Sequence, residues 1–314
     1  MFGGGNMFSY FMLALATFAW GGAFVAAKMV VTELHPLVAA VARFWLAFLC
    51  LIPFMLWKER GKAGVALKDW PVLIFLGFSG IFLYNVLFFN GLRISAAMDG
   101  SLLVACGPVL TAILSALVLQ ERLNFRQAMG FLVSLCGVVV IVTKGVPSAL
   151  LVWDINPGDI MLTCSALTWS FYSVGGKVVM KRLSPVVSTT YAMGIGAAML
   201  TLAAIPQLTE NPFANMTQTS VVGLGYLAVI ASALSFVLWF EGIKRVGAGK
   251  ASIFQNIVPL SGALLSILLL GEKLQAFHPI GALLILGGVY MVTKPARAPK
   301  AAVTGGVRQS SQEI

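Results

Sequence analysis

The stretch MLALATFAWGGAFVAAKMVVTELHP, residues 12–36, recurs as MLTCSALTWSFYSVGGKVVMKRLSP, residues 161–185, without a gap and with eight of 25 positions identical. Among the shared positions are Trp20 and Trp169, Val25 and Val174, Lys28 and Lys177, and Pro36 and Pro185. A second pair follows, PVLTAILSALVLQERL (108–123) against PLSGALLSILLLGEKL (259–274), after which Gly130 and Gly137 match Gly281 and Gly288. The offset stays between 149 and 151 residues, so the chain reads as one unit written twice.

Each copy is built of long apolar runs. The 314 residues are 59% hydrophobic and only 10% charged, whereas soluble domains carry roughly 25% charged residues. A helix of roughly 20 apolar residues crosses the hydrocarbon core of a bilayer. Ten such runs lie near 8–31, 37–57, 71–92, 96–119, 127–143, 158–180, 185–208, 219–243, 251–270 and 279–293. The connectors are too short to hold an extramembrane domain. The first run lacks a basic leader and exceeds the length of a cleaved signal's apolar segment, so it reads as a retained helix. Residues 295–314 turn to small, polar and basic residues that cannot bury enough surface to order themselves, and read as a disordered tail. Cys50, Cys106, Cys136 and Cys164 lie inside runs with no paired spacing, as small packing residues do.

The formal charge of +10 sits in short loops, which argues for topology and against nucleic-acid binding. Counting connectors alternately, 15 of the 21 basic residues fall on one face, including Lys58, Arg60, Lys68, Arg126, Arg182 and Arg245. Lys28, Arg93, Lys144 and Lys273 fall on the other, while Arg43 and Lys177 lie within runs. The basic face is cytoplasmic by the positive-inside rule, which places both termini there. Five spans is an odd number, so the second repeat enters the membrane upside down. Inverted repeats suit a carrier, because the two halves can exchange conformations about one midplane site. The expected fold is all-α, ten transmembrane helices in two inverted five-helix repeats, 8–145 and 156–294, with a cytoplasmic tail.

Trp20 and Trp169 early in each repeat, Arg43-Phe44 in the second span, Pro108 ahead of Gln120-Glu121-Arg122-Leu123, and Pro259 ahead of Gly271-Glu272-Lys273-Leu274 resemble the EamA family of the drug/metabolite transporter superfamily. The resemblance covers residues 8 to 294 and implies a ten-helix exporter of amino acids and other metabolites in the cell or inner membrane. It also implies a central cavity lined by spans 1, 3, 4, 6, 8 and 9. One departure is that Arg43 faces Ala192 at the repeat-equivalent position, so any role it has is not duplicated.

Helical spacing puts Trp20 and Phe24 on one face of span 1, and Trp169 and Tyr172 on one face of span 6, where their rings could hold the apolar part of a solute. Tyr84 and Asn85 in span 3, Ser235 and Trp239 in span 8, and the adjacent amides Gln255 and Asn256 in span 9 need polar partners that lipid cannot supply. These ten residues are the expected substrate contacts, with helix packing as the bland alternative. Pro108 and Pro259 each remove a helical hydrogen bond and are the expected hinges at kinks. Lys28 and Lys177 lie near span ends and read as snorkelling. Arg43, deeper in, is harder to relieve that way, and capping helix ends structurally and a functional role are equally open for it.

No Asp or Glu falls mid-span, which points to facilitated diffusion rather than ion coupling. The expected function is transport of a small amphipathic solute by alternating access, as a uniporter and a monomer, with no enzyme activity, metal or cofactor. The competing readings are a channel and an intramembrane lipid-modifying enzyme. The enzyme lacks its groups, since the two histidines, His35 and His278, stand at span boundaries beside prolines.

Overall fold

A computed structural model describes residues 4–60, 64–119, 125–146, 148, 155–180, 182–208, 212–246 and 252–293. Glu121 and the tail at 295–314 lie outside the described residues. Within them the chain is helical, with no strand. The helices are α1 (Gly4–Val31), α2 (Pro36–Glu59), α3 (Leu67–Ile94), α4 (Ala97–Val104), α5 (Gly107–Leu119) and α6 (Phe125–Val142). After these come α7 (Pro157–Val179), α8 (Pro185–Ala204), α9 (residues 218–246), α10 (Ile257–Leu270) and α11 (Phe277–Thr293).

Five segments are long and apolar enough to cross a membrane: Met7–Val31, Pro36–Glu59, Leu67–Ile94, Pro185–Gln207 and Gln218–Trp239. Apolar side chains such as Phe11, Leu49, Leu268 and Leu283 stand exposed on the outer surface. Only an apolar solvent makes such a surface favourable.

Local chemistry sets the helix ends. Pro36, Pro157 and Pro185 occupy first-turn positions, where a missing N–H costs nothing. Asn156 Oδ1 accepts from Gly158 N at 2.9 Å, Ser184 Oγ from Val187 N at 3.3 Å, and Thr217 Oγ1 from Ser220 N at 3.3 Å. Gly271, at φ 67°, ends α10 in the left-handed conformation that glycine adopts without penalty.

Two irregularities recur in both halves. Gly77–Leu83 in α3 and Tyr226–Leu234 in α9 wind as wide π-type turns, a feature frequent at functional sites. Where the sequence leads to a kink at Pro108 and Pro259, the helix is instead interrupted just ahead of each proline. The chain breaks at Ala105 and Cys106 before α5, and tightens to a 3₁₀ turn at Ser252–Asn256 before α10. Each proline thus lies in the first turn of a new helix, where no intrahelical bond is lost.

α1 packs against α9 and α10, while α7 packs against α3, α4 and α5. α2 lies on α8, joined by Trp45 Nε1 donating to Thr201 Oγ1 at 2.9 Å. α6 and α11 form the most extensive pairing, at a seam of glycines.

One side of the bundle is tied by polar groups at helix ends. Lys28 Nζ donates to Leu92 O at 2.7 Å and to Ser95 O, so it caps the end of α3 instead of snorkelling to the lipid surface. Lys177's side chain lies outside the described residues. Ser95 Oγ donates to Asp159, and His278 pairs with Asp99.

Candidate functional site

The site joins regular helices to the points where α3, α4, α9 and α10 depart from regularity. α1 supplies Trp20 and Phe24, the end of the wide turn in α3 leads into Tyr84 and Asn85, and the break between α4 and α5 presents Val104, Ala105, Gly107 and Pro108. α7 contributes Trp169, α9 Phe236, and the 3₁₀ turn before α10 contributes Gln255. These groups line one central cavity, with Arg43 and Phe44 of α2 on its wall.

Aromatic rings frame it. The Trp20 and Trp169 centroids are 6.0 Å apart in an edge-to-face arrangement, and Phe236 lies 5.6 Å from Trp20 and 5.9 Å from Trp169. Tyr84 lies 5.6 Å from Trp169 and stacks on Phe88, which meets Phe24 edge-on at 5.1 Å. Such pairs add roughly 0.5–1.5 kcal/mol each beyond area burial. Trp20 is held further by its Nε1, which donates to Ala231 O at 2.9 Å in the wide turn of α9. The two tryptophans of the sequence repeat therefore meet across the interior.

Of the ten residues expected to contact substrate, Trp20, Phe24, Tyr84, Asn85, Trp169 and Gln255 line the cavity, as does Pro108. The others support it from behind or stand apart. Tyr172 is buried against Trp169 at 5.2 Å, and Trp239 is buried against Trp20 at 5.2 Å. Ser235 Oγ donates to Ile230 O at 2.6 Å within its own helix. Asn256 and Pro259 are not among the lining residues.

The sequence leaves Arg43 open between a structural cap and a functional group. Arg43 does not cap a helix end but reaches the cavity wall, with Nε donating to Ser232 Oγ at 2.8 Å and a terminal nitrogen to Asn85 Oδ1 at 3.4 Å. Its Cζ lies 4.9 Å from the centroid of the Phe44 ring. The sequence signal was available, since an ionisable group inside a span marks function by default. Phe88 and Phe236 carry no signal that separates them from the many other phenylalanines.

A family model described as the EamA-like transporter family matches the chain twice, at residues 7–143 and 156–294. The chain belongs to the EamA-like transporter family. It is 31% identical over 291 residues to an uncharacterized transporter of Bacillus subtilis, covering 93% of this chain and 95% of that one. A probable terminal-alkyne amino-acid exporter of Streptantibioticus cattleyicolor is 25% identical, over 90% of this chain and 92% of its own length. A probable amino-acid metabolite efflux pump of Salmonella typhimurium is 24% identical, over 90% and 93%. A solved crystal structure superposes with a TM-score of 0.66 at 21% identity, covering 92% of this chain and 98% of that one, which establishes the shared fold. This EamA-like chain is thus a multi-pass protein of the cell membrane and a transporter.

Proposed function

We propose that the chain exports amino acids or related amphipathic metabolites by alternating access at the central cavity, as a monomer and without a coupling ion. The carrying observation is that the cavity is walled by helices of both halves, with aromatic rings facing each other across it and, among the described residues, one fixed charge. A solute bound there would be released to either side as the halves rock against each other.

The two halves, 8–145 and 156–294, are read as inverted five-helix repeats with both termini and the 295–314 tail on the cytoplasmic side. Three features support this. The wide turns of α3 and α9 lie at corresponding places in the repeat, the breaks precede Pro108 and Pro259, and α1 contacts the second half as α7 contacts the first. The names of the amino-acid exporter and efflux-pump relatives support the substrate class.

Proteoliposome uptake of a labelled amino-acid panel tests the proposal. Saturable uptake with counterflow of preloaded solute, weakened by Trp169→Ala, is the expected result. Unitary currents would identify a channel instead, and uptake that stops when the proton gradient is dissipated would overturn the uncoupled mechanism.

A further inference from the structure

Arg43 is the one charged side chain lining the cavity among the described residues. It is 5% exposed, with Nε donating to Ser232 and one terminal nitrogen, Nη1, to Asn85. Asn85 is itself fixed, because its Nδ2 donates to Ile81 O at 2.8 Å, so its Oδ1 stays turned to the guanidinium. Phe44 and Phe89 lie 4.9 and 5.8 Å from Cζ. The Lys and Arg ion pairs among the described residues involve other cations, Lys58 and Arg182. The acidic groups bearing electrostatically on Arg43 are the phenols Tyr84 and Tyr226, and Tyr226 Oη is committed to Ala19 O at 2.7 Å.

A guanidinium offers five N–H donors in a planar fork, and burial without an anion leaves its charge uncompensated. We propose that Arg43 is the docking point for a solute carboxylate, and that among amino acids and related amphipathic metabolites the cavity prefers those whose amino group is absent or acylated. The inference rests on the carrier reading and specifies its substrate class.

The rest of the lining supports the second part of the claim. A carboxylate against Arg43 gains charge-assisted hydrogen bonds, and an apolar body then meets Trp20, Trp169 and Phe24. A free ammonium finds no carboxylate among the described residues of the cavity wall. Its available partners are the Gln255 amide and the Tyr84 hydroxyl, neither of which is hydrogen-bonded to another described residue and neither of which carries a compensating charge. Stripping water from an ammonium there is unfavourable, so an acylated or absent amine is preferred over a zwitterion.

The test is binding to the detergent-purified full chain, read by tryptophan fluorescence and thermal shift, with four probes: N-acetylphenylalanine, N-acetylphenylalaninamide, phenylalanine and phenethylamine. The acid is expected to bind at least about tenfold more tightly than any of the other three. Arg43→Gln should bring the acid down to the level of its amide, while Arg43→Lys retains part of the preference. Equal binding of acid and amide by the unsubstituted protein overturns the proposal without reliance on any variant, and so does the absence of binding by all four. Phenylalanine binding as tightly as its N-acetyl form overturns the preference for an acylated amine. Proteoliposome counterflow separates this from the carrier reading. Acid-selective, Arg43-dependent binding without counterflow sinks the carrier and keeps the anchor, whereas counterflow without acid selectivity does the reverse.

Discussion

His278 Nε2 lies 2.9 Å from Asp99 Oδ1, with both side chains buried, and the contact joins the first turn of α11 to the first turn of α4. The backbone N–H of Gln275 donates to His278 Nδ1 at 2.9 Å, which fixes the proton of a neutral imidazole on Nε2 and makes it the donor to Asp99. His278→Leu leaves the buried Asp99 carboxyl without its donor and should cost about 3 kcal/mol, the top of the range for a lost hydrogen-bond partner. Asp99→Leu strands only a neutral N–H and should cost about 1–3 kcal/mol. The double variant should cost clearly less than the sum. Unfolding of the four proteins in detergent measures the cycle, and strictly additive losses would show that the contact contributes nothing.

Much of this was written in the sequence. Apolar run length located most of the helices to within a few residues, because lipid imposes a strict length. The repeat placed Trp20 and Trp169 together, and they do meet. Depth was less legible. Helical spacing gives a direction around an axis but not a distance from the cavity, so Tyr172 and Trp239, on the expected faces, pack behind the ring that lines it. Partnerships across the chain were not legible at all. Glu272 looked like a loop residue of the Gly271-Glu272-Lys273-Leu274 motif, yet its carboxylate accepts from Ala97 N and Met98 N at 2.9 Å each, capping α4 from a distant connector. No local pattern reports a cap supplied by tertiary contact.

The seam between α6 and α11 should be intolerant of a single methyl group. A Cβ at Gly288 would run into Gly130 O and come within 2.6 Å of Ser134 N, and both are backbone atoms that cannot swing aside. At the adjacent Gly287 a Cβ would meet nothing within 4 Å. Gly288→Ala should therefore lose about 1–3 kcal/mol through overpacking. Gly287→Ala should be neutral or gain up to about 1 kcal/mol from helix propensity. Melting temperatures of the two variants decide the matter, and equal shifts would mean that the helices do not touch along this seam.

Glu33 fastens the turn after α1 to the start of α9, and that fastening should depend on pH. Thr217 N donates to one carboxylate oxygen and Thr217 Oγ1 to the other, each at 2.8 Å. The backbone hydrogen bond from Thr217, helped by the hydroxyls of Ser220 and Thr217, holds the carboxyl below its ordinary value of 4.5. A depressed folded-state pKa favours the native state while the group is ionised, so the contribution is complete above about pH 4.5 and is lost as the pH falls through the lowered value. The side chain is solvent-exposed, which keeps the effect small and sensitive to salt. Glu33→Gln keeps an acceptor for one bond but turns an N–H₂ toward the other donor. Its melting temperature should fall below that of the unsubstituted chain by a constant amount from neutral pH down to about 5, and the two should converge at more acidic pH. A gap that persists unchanged to about pH 3 would show that the carboxylate's charge plays no part in holding α9 to the end of α1.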